Sequence, residues 1–331
     1  QRRGGGAGVG AGMLRVKKLV VLSAVGLCTA CSQPKERGSP PSMTPCTQIT
    51  ATASNAKLRT VRDGRFMANT AGRVCIGNAV SVNQGDKKGE NAPMKLATYK
   101  DGSRDGQLVV VSRDLTQAHY ATHIANRLQQ VLDDWNFLSP QLEDLSQTLN
   151  HGKARHAFPF DPKQCMAPLP RAYQHTSAVA FPYSADAMDA TPAEPLQYQL
   201  SGDSLLGPFD PVLCGSEALG IDFEAEVAVI TGDVPMGIAA DRALDGVRLV
   251  MLGNVFSLRS VLQGKPATAF SPVAITPDEL GDAWTKGRVA LPLQCAWNGR
   301  KVGMCDAGTD MTYAFGQLVA HASKTRALRA G

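Results

Sequence analysis

The sequence predicts an α+β protein that is rich in β-strands, and three observations carry this prediction. Asn298-Gly299 separates two strand-like segments, and this dipeptide in that position is typical of a β-hairpin. Apolar and acidic residues alternate along Gly220–Ile230, as they do in a strand with one buried face. Strands and helices do not alternate along the chain in the way that βαβ folds require, which disfavours Rossmann and TIM-barrel architectures.

The charge of the 331-residue chain is divided unevenly. Residues 1–93 hold 14 Lys and Arg against 4 Asp and Glu, a net charge of +10, whereas residues 94–331 hold 20 basic and 25 acidic residues, a net charge of −5. A nucleic-acid-binding surface on the main body is therefore disfavoured, because such surfaces are basic. The four cysteines of the main body are widely spaced, so we expect reduced thiols there and no disulfide framework.

Residues 1–93 are predicted to be an extension that is mostly disordered and forms no domain, because little periodicity is visible after residue 31. Met13–Cys31 resembles a bacterial lipoprotein signal, with a basic start, a short apolar run and a closing cysteine. A second hypothesis takes Met94 as the natural start and residues 1–93 as translated leader sequence. The protein would then be cytoplasmic; under the first hypothesis it is a membrane-anchored lipoprotein through Cys31.

The first part of the main body combines a hairpin with two helices. Met94–Lys100 and Gln107–Ser112 are predicted to pair as antiparallel strands, because a turn rich in Asp and Gly separates them. Apolar residues at helical spacing predict a helix over Leu115–Leu132, and a second helix is expected near Ser139–Leu149.

The second part begins after a proline-rich crossing at Cys165–Tyr173, which we interpret as the boundary of a small N-terminal domain. Residues 175–206 show no clear period and are interpreted as a loop or lid. A strand is expected over Val247–Leu252 and is predicted to break at Gly253-Asn254. The last predicted element is a helix over Met311–Leu328, with Gly331 as a possible cap.

The alternating strand offers a candidate metal site, because Asp222, Glu224 and Glu226 share one of its faces. Buried carboxylates about 7 Å apart repel one another and require a compensating cation. A hard divalent ion such as Mg²⁺ or Ca²⁺ is the natural partner of oxygen ligands. The open alternative is an amphipathic strand whose acidic face is solvated. Arg259 and Lys265 follow the next strand and could hold a carboxylate substrate.

Four segments of the main body resemble bacterial proteins of the fumarylacetoacetate hydrolase family. The most specific is the Asp-Phe-Glu-Ala-Glu sequence at 222–226. The likeness covers nearly all of residues 94–331 and none of residues 1–93. The segments that carry it are Met94–Leu115, Gly220–Pro235, Lys265–Ala274 and Phe315–Arg326.

The resemblance implies a small N-terminal α+β domain at 94–170 and a catalytic domain at 171–331 with a mixed β-sandwich or roll, incomplete at its C-terminus. It implies a homodimer and a metal-dependent hydrolase of a carbon–carbon bond in β-diketo acids, in aromatic amino-acid or aromatic-compound catabolism. Glu224 and Glu226 match the family's metal ligands for Mg²⁺ or Ca²⁺, with Mn²⁺ as a further candidate. Arg259 matches a substrate-contacting arginine, and Lys265 matches the lysine that stabilises developing oxyanion charge.

Departures from the family pattern leave two alternatives open. Val255 stands where the family has a third metal carboxylate, and residues 175–206 do not reproduce the segment with the water-activating histidine. The chain is therefore an active hydrolase or a catalytically impaired protein with the same fold. A lipid-anchored periplasmic binding protein is the third reading, if the Cys31 signal is real.

Overall fold

The computed structural model describes residues 93–181, 194–262, 264–298 and 300–331, together with the backbone of four short strands before residue 76. The predicted extension over residues 1–93 and its Cys31 signal otherwise lie outside the described residues. The described part is a strand-rich α+β structure, as the sequence predicts. No helix within it is long and apolar enough to cross a lipid bilayer.

The four short strands pair in two places. β1 pairs with β4, and β3 lies between β2 and β11 of the main body. Their bounds are Thr50–Thr52 for β1, Arg59–Thr60 for β2, Phe66–Ala68 for β3, Arg73–Cys75 for β4 and Val212–Cys214 for β11.

One eight-stranded sheet forms the centre of the protein, with the order β12-β13-β15-β5-β6-β7-β8 and with β14 paired beside β13. Every pairing in it is antiparallel. The bounds are Lys95–Tyr99 for β5, Gln107–Val111 for β6, Gln117–Tyr120 for β7, Phe158–Pro159 for β8, Ile221–Thr231 for β12, Val247–Leu258 for β13, Ala267–Phe270 for β14 and Ala274–Ile275 for β15. The sheet therefore runs through both halves of the main body.

Two apolar cores lie on opposite faces of this sheet. Helices α1 (Leu128–Asp133) and α2 (Trp135–Asn150) cover one face, where Leu142 of α2 is fully buried. A 3₁₀ segment at Pro277–Ala283 and strand β18 (Pro292–Trp297) cover the other face, where Leu293 is fully buried. Alternate side chains of β5 and β6 enter the two cores, as the period of a strand requires.

The remaining elements are short and lie around the sheet. They are 3₁₀ segments at Pro162–Gln164 and Glu217–Leu219, helices α3 (Ala240–Leu244) and α4 (Phe315–Ala322), and strands β9 (His175–Val179), β10 (Leu196–Leu200), β16 (Trp284–Thr285), β17 (Arg288–Val289) and β19 (Arg300–Asp306). β18 pairs with β19 across the predicted Asn298-Gly299 turn, which confirms that hairpin. The hairpin of β5 and β6 is also confirmed. Cys165 and Cys214 are buried and form no disulfide within the described part of the chain.

The helix predicted over Leu115–Leu132 is wrong over most of its length. Asp114 accepts hydrogen bonds from Ser112 and Thr116, and Leu115 has a left-handed φ of 60°. This turn sends the chain back as strand β7 beside β6, and only the last residues form α1. The second predicted helix is confirmed as α2, which begins earlier than expected and contains Pro140.

Three further predictions are corrected by the structure. Strand β13 does not break at Gly253-Asn254, because both residues pair with β12 and with β14. A Cβ at Gly253 would lie 3.3 Å from the ring of Phe270, so the glycine allows the backbone of β13 to lie close to this ring.

The final helix ends at Ala322, earlier than predicted. Gly331 caps no helix; its N–H donates to the carbonyl of Thr231 at 2.9 Å. Residues 175–206 contain the antiparallel hairpin of β9 and β10.

A buried ion pair joins the first strand of the sheet to the 3₁₀ segment. The Lys95 side chain is 2% exposed and pairs with Glu279, which is 7% exposed. The other carboxylate oxygen of Glu279 lies 3.2 Å from Nε of Arg113. Burial lowers the pKa of Lys95, while the charge of Glu279 acts in the opposite direction. Removing one partner of such a pair leaves an uncompensated buried charge.

We therefore expect Glu279→Gln to lower the free energy of unfolding by about 3 kcal/mol in urea denaturation. The matched control is Asp210→Asn, which breaks the more exposed pair between Lys100 and Asp210 and should cost less than about 1 kcal/mol. If both variants lose the same free energy of unfolding, the buried Lys95–Glu279 pair stabilises the fold no more than the exposed Lys100–Asp210 pair does.

Candidate functional site

The candidate site lies on the acidic face of β12, the strand at one edge of the central sheet. β12 pairs with β13 over its whole length, with one irregularity near its end. This register places Glu224 directly opposite Val255 and Glu226 directly opposite Gly253. Residues directly opposite one another in an antiparallel pair project from the same face. The two glutamates therefore share their face with one apolar side chain and one glycine of β13.

Glu224 forms a buried ion pair with Lys265. The Nζ atom of Lys265 lies 2.7 Å from Oε2 of Glu224, and the two side chains are only 10% and 12% exposed. The ring of Tyr198 lies below the same ammonium group, with its centroid 5.8 Å from Nζ. Lys265 precedes β14, which pairs with β13, so the sheet itself brings the lysine to Glu224. The two predicted site residues thus meet.

Glu226 is held by the hairpin of β9 and β10. Its Oε1 atom accepts a hydrogen bond of 2.8 Å from the hydroxyl of Ser177 on β9. Tyr198 on β10 lies directly opposite Ser177 in the hairpin register. The hairpin therefore contributes contacts to both glutamates, directly to Glu226 and through Lys265 to Glu224.

Arg259 pairs with the third carboxylate of the acidic face, and its contact with a substrate stays a prediction. Its guanidinium group donates to Oδ2 of Asp222 from two nitrogens, Nε at 2.9 Å and Nη2 at 2.6 Å. Its side chain is 73% exposed, whereas that of Lys265 is 10% exposed. Arg259 thus neutralises the outermost carboxylate of the acidic face. In this structure it is not directed to the two glutamates.

His175 lies beside the site and lines the cavity that Glu226 also lines. Burial lowers the pKa of His175, and the positive charge of Lys265 acts in the same direction. Its Nδ1 atom lies 3.1 Å from the carbonyl oxygen of Ser201. Because a carbonyl only accepts hydrogen bonds, Nδ1 donates in this contact, which itself acts to raise the pKa of His175. In the neutral ring, Nε2 is then the proton acceptor.

An apolar cavity of about 200 Å³ opens beside Glu226. Its walls come from β9, β12 and α4. Apart from His175, Ser177 and Glu226, the wall residues near the site include Ala178, Phe315 and Leu318. A cavity with a few polar groups at one end and apolar walls elsewhere is the usual form of a small-molecule site.

The side chains fit a divalent cation in kind, although they are few. Glu224, Glu226 and the Ser177 hydroxyl supply the hard oxygen ligands that Mg²⁺ and Ca²⁺ prefer. Among the described residues, no group of three His, Cys, Asp or Glu side chains is placed to hold a metal ion. Val255 is fully buried and lies directly opposite Glu224 in the register, so an apolar side chain occupies a position beside the glutamates. A divalent ion could be held here by the two carboxylates together with oxygens of water or substrate.

The sequence analysis assigned no role to His175, Ser177 or Tyr198, which the β9/β10 hairpin brings to the site. One signal was available: Leu196-Gln-Tyr-Gln-Leu200 alternates apolar and polar residues, as a strand does. Residues 182–193, which lie between the two strands, are outside the described part of the chain.

Comparison with known proteins supports a family assignment. Residues 94–171 match the family model described as "Fumarylacetoacetase N-terminal domain 2", and residues 171–331 match "Fumarylacetoacetate (FAA) hydrolase C-terminal". The chain is 28% identical over 144 residues to 2,4-didehydro-3-deoxy-L-rhamnonate hydrolase of Sphingomonas sp. (strain SKA58), an alignment that covers 40% of this chain and 48% of that protein. It is 28% identical over 152 residues to the mitochondrial oxaloacetate tautomerase fahd2 of Xenopus laevis, covering 42% and 46% of the two chains. The chain thus spans about half the length of the curated relatives it matches.

Solved structures show the same fold at low sequence identity. Maleylpyruvate hydrolase from Sphingobium sp. SYK-6, in complex with manganese(II) and pyruvate, superimposes with a TM-score of 0.56 at 19% identity, covering 72% of this chain and 86% of that one. Fumarylacetoacetate hydrolase from Exiguobacterium antarcticum gives a TM-score of 0.54 at 18% identity, with 72% and 83% covered. The two adjoining family matches show that the chain belongs to the fumarylacetoacetate hydrolase family.

Proposed function

We propose that the protein hydrolyses a carbon–carbon bond in a β-diketo acid, with a divalent metal ion as cofactor. The observation that carries this proposal is the cluster of Lys265 with Glu224 and Glu226 of β12, of which Glu226 also lines a largely apolar cavity. The family contains hydrolases and a tautomerase, so the reaction type is argued from the cluster. A related hydrolase binds manganese and pyruvate, a divalent ion and a 2-oxo acid of the kind proposed here.

Glu224 and Glu226 are the residues that would hold the ion, which we propose to be Mg²⁺, Ca²⁺ or Mn²⁺. When bound, such an ion supplies Lewis-acid polarisation of the substrate oxygens. Ser177 holds the Glu226 carboxylate in one orientation. Lys265 offers a positive charge in a largely dry position, where electrostatic stabilisation of a developing enolate is stronger than in water.

His175 is proposed to take a proton from the attacking water through Nε2. The hydroxide oxygen adds to the carbonyl carbon remote from the substrate carboxylate, and the carbon–carbon bond next to that carbonyl then breaks. Its electron pair becomes the enolate of a 2-oxo acid, whose carbon takes up a proton to complete the reaction. The second product is a carboxylic acid, which contains the oxygen of the water.

The apolar cavity favours a substrate whose acyl group is apolar. Most of its wall is apolar, as Ala178 and Leu318 are, and the arginine that also lines it, Arg329, already pairs with Asp233. We therefore propose an acylpyruvate with an alkyl or aryl group as the substrate class.

A second candidate function is a protein of the same fold that binds the ligand but does not turn it over. Val255 favours it, because a buried valine opposite Glu224 supplies no ligand atom to a metal ion. A homodimer and a cytoplasmic location both stay predictions.

Glu226→Gln should abolish turnover of an acylpyruvate together with its dependence on added divalent ion, because one of two carboxylate ligands is lost. A steady-state assay after chelation and re-addition of Mg²⁺ measures both properties. Glu217→Gln, at an exposed carboxylate, is the matched control and should retain wild-type activity. Full activity of Glu226→Gln in metal-free buffer would contradict the proposed role.

Val255→Asp should tighten Mg²⁺ or Ca²⁺ binding at least tenfold, roughly 1.4 kcal/mol, because it adds a carboxylate opposite Glu224. Calorimetric titration measures the affinity, and Val255→Asn controls for the loss of the apolar side chain. If Val255 is only a core residue, the aspartate is an unpaired buried charge. The melting temperature would then fall, and added Ca²⁺ would not restore it.

Ala178→Leu should discriminate between substrates by the size of their acyl group, because the added atoms fill part of the cavity. We expect KM to rise about tenfold or more for a long-chain or aryl acylpyruvate and by less than about threefold for acetylpyruvate. Ala320→Leu on α4, which lies outside the cavity wall, tests for a general loss of stability. Equal effects on both substrates would place the acyl group elsewhere.

A further inference from the structure

We propose that the substrate cavity continues past Tyr173 into a second compartment, which holds the far end of a long acyl chain. This inference rests on the proposed function, since it extends the same site. It adds the length of the acyl group to that function: the preferred substrate is an acylpyruvate whose alkyl chain reaches beyond the first cavity.

The first support is a wall that two cavities share. Leu169, Ala172 and Tyr173 line the cavity beside Glu226 and also line a second cavity of about 520 Å³. The first cavity measures only about 200 Å³, which is less than the roughly 300–1,000 Å³ usual for a small-molecule site. A long chain that starts beside Glu226 therefore extends beyond the first cavity, and the second cavity adjoins it along this wall.

The second support is the way in which Tyr173 is held. Its backbone N–H donates to the carbonyl of Gly331 at 2.9 Å, and the N–H of Ala172 donates to the carbonyl of Gly202 at 2.7 Å. Tyr173 is nevertheless 71% exposed. A fixed backbone and an exposed ring allow the side chain to change rotamer while the wall stays in place. The ring can thus turn aside for a chain without any change in the fold.

The rest of the boundary between the two cavities is main chain. Gln129 lines the second cavity and donates through Nε2 to the carbonyl of Ala330 at 2.9 Å, and the next residue, Gly331, lines the first cavity. The main chain of Ala330 and Gly331 therefore lies between the cavities. Because this main chain is held by hydrogen bonds, the Tyr173 side chain is the part of the boundary that can move.

The wall of the second cavity combines apolar residues with paired charges. Leu128 belongs to its apolar part. Two arginines also line it, and each meets an aspartate: Arg127 pairs with Asp101, and Arg171 pairs with Asp105. Because these cations already have partners, an alkyl chain with an uncharged end suits this cavity better than a chain that ends in a second carboxylate.

The experiment measures the binding of two straight-chain 2-oxo acids, 2-oxopentanoate and 2-oxodecanoate, by calorimetric titration with Mg²⁺ present. Both carry the 2-oxo acid head of the proposed substrate but lack the remote carbonyl that water attacks, so no hydrolysis disturbs the measurement. Wild-type protein should bind 2-oxodecanoate at least about thirtyfold more tightly, because its additional methylene groups leave water for the second cavity.

Asp203→Trp should weaken the binding of 2-oxodecanoate at least about tenfold and that of 2-oxopentanoate less than about twofold, because the new ring fills part of the second cavity alone. Ser204→Trp is the matched control: it places the same ring at the next exposed position, which belongs to neither cavity wall as described above. It should bind both acids as wild type does. Asp203→Asn removes the charge without adding bulk and should weaken 2-oxodecanoate less than about threefold.

Tyr173→Trp tests the junction itself. Its larger ring narrows the passage between the cavities and should weaken only 2-oxodecanoate, by about fivefold or more. Thermal unfolding of each variant shows that it is folded, and exposed positions such as Tyr173 and Asp203 tolerate a larger ring.

Three results would overturn the inference. The first is wild-type protein that binds 2-oxodecanoate no more tightly than 2-oxopentanoate, or not at all. The second is a loss in Asp203→Trp that Ser204→Trp or Asp203→Asn reproduces, and the third is a Tyr173→Trp variant that binds both acids as wild type does. None of these measurements requires turnover. Hydrolysis of acetylpyruvate beside any of them would leave the proposed function standing, whereas length-dependent binding without hydrolysis of any acylpyruvate would overturn that function and leave the second compartment standing.

Discussion

The pairing of β12 with β13 is the constraint on which the site depends. Eleven residues of β12 are matched to β13, and because the side-chain period of a strand is two, a slip of one residue would turn every carboxylate to the opposite face. Apolar residues of both strands enter the cores on the two sides of the sheet, where Leu249 and Leu252 are almost fully buried. Burial of these side chains fixes the register, and the register fixes what stands opposite each glutamate.

The acidic face is neutralised largely by the chain itself. Asp222 meets Arg259, Glu224 meets Lys265, and Glu226 accepts a hydroxyl hydrogen bond from Ser177. The sequence indicated that such a face needs a compensating cation, and the two basic side chains supply part of it without any metal ion. This arrangement allows the strand to fold before a cofactor arrives.

The sequence was most informative where local patterns decide structure. Alternation along β12, the turn residues between β5 and β6, and Asn298-Gly299 all concern pairings between neighbouring segments, and these were predicted correctly. The helix predicted from Leu115 failed at a local turn, because the left-handed Leu115 returns the chain beside β6 as a strand. Other predictions failed where a distant contact decides. His175 and Ser177 could not be assigned, because their roles depend on a hairpin that meets β12 only in three dimensions.

The sharing of one sheet by both halves has a consequence for folding during synthesis. β5 pairs with β15, so that Lys95 lies opposite Ile275 although 180 positions separate them in the chain. Contacts between such distant residues slow folding, because a long loop must close before any pairing energy is gained. While the ribosome is still making the second half, the hairpin of β5 and β6 has an open edge, and Lys95 has no glutamate to meet. The pairing of β5 with β15 can form only after nearly the whole chain has been synthesised. Until then the open edge of β5 is most accessible to pairing with another molecule.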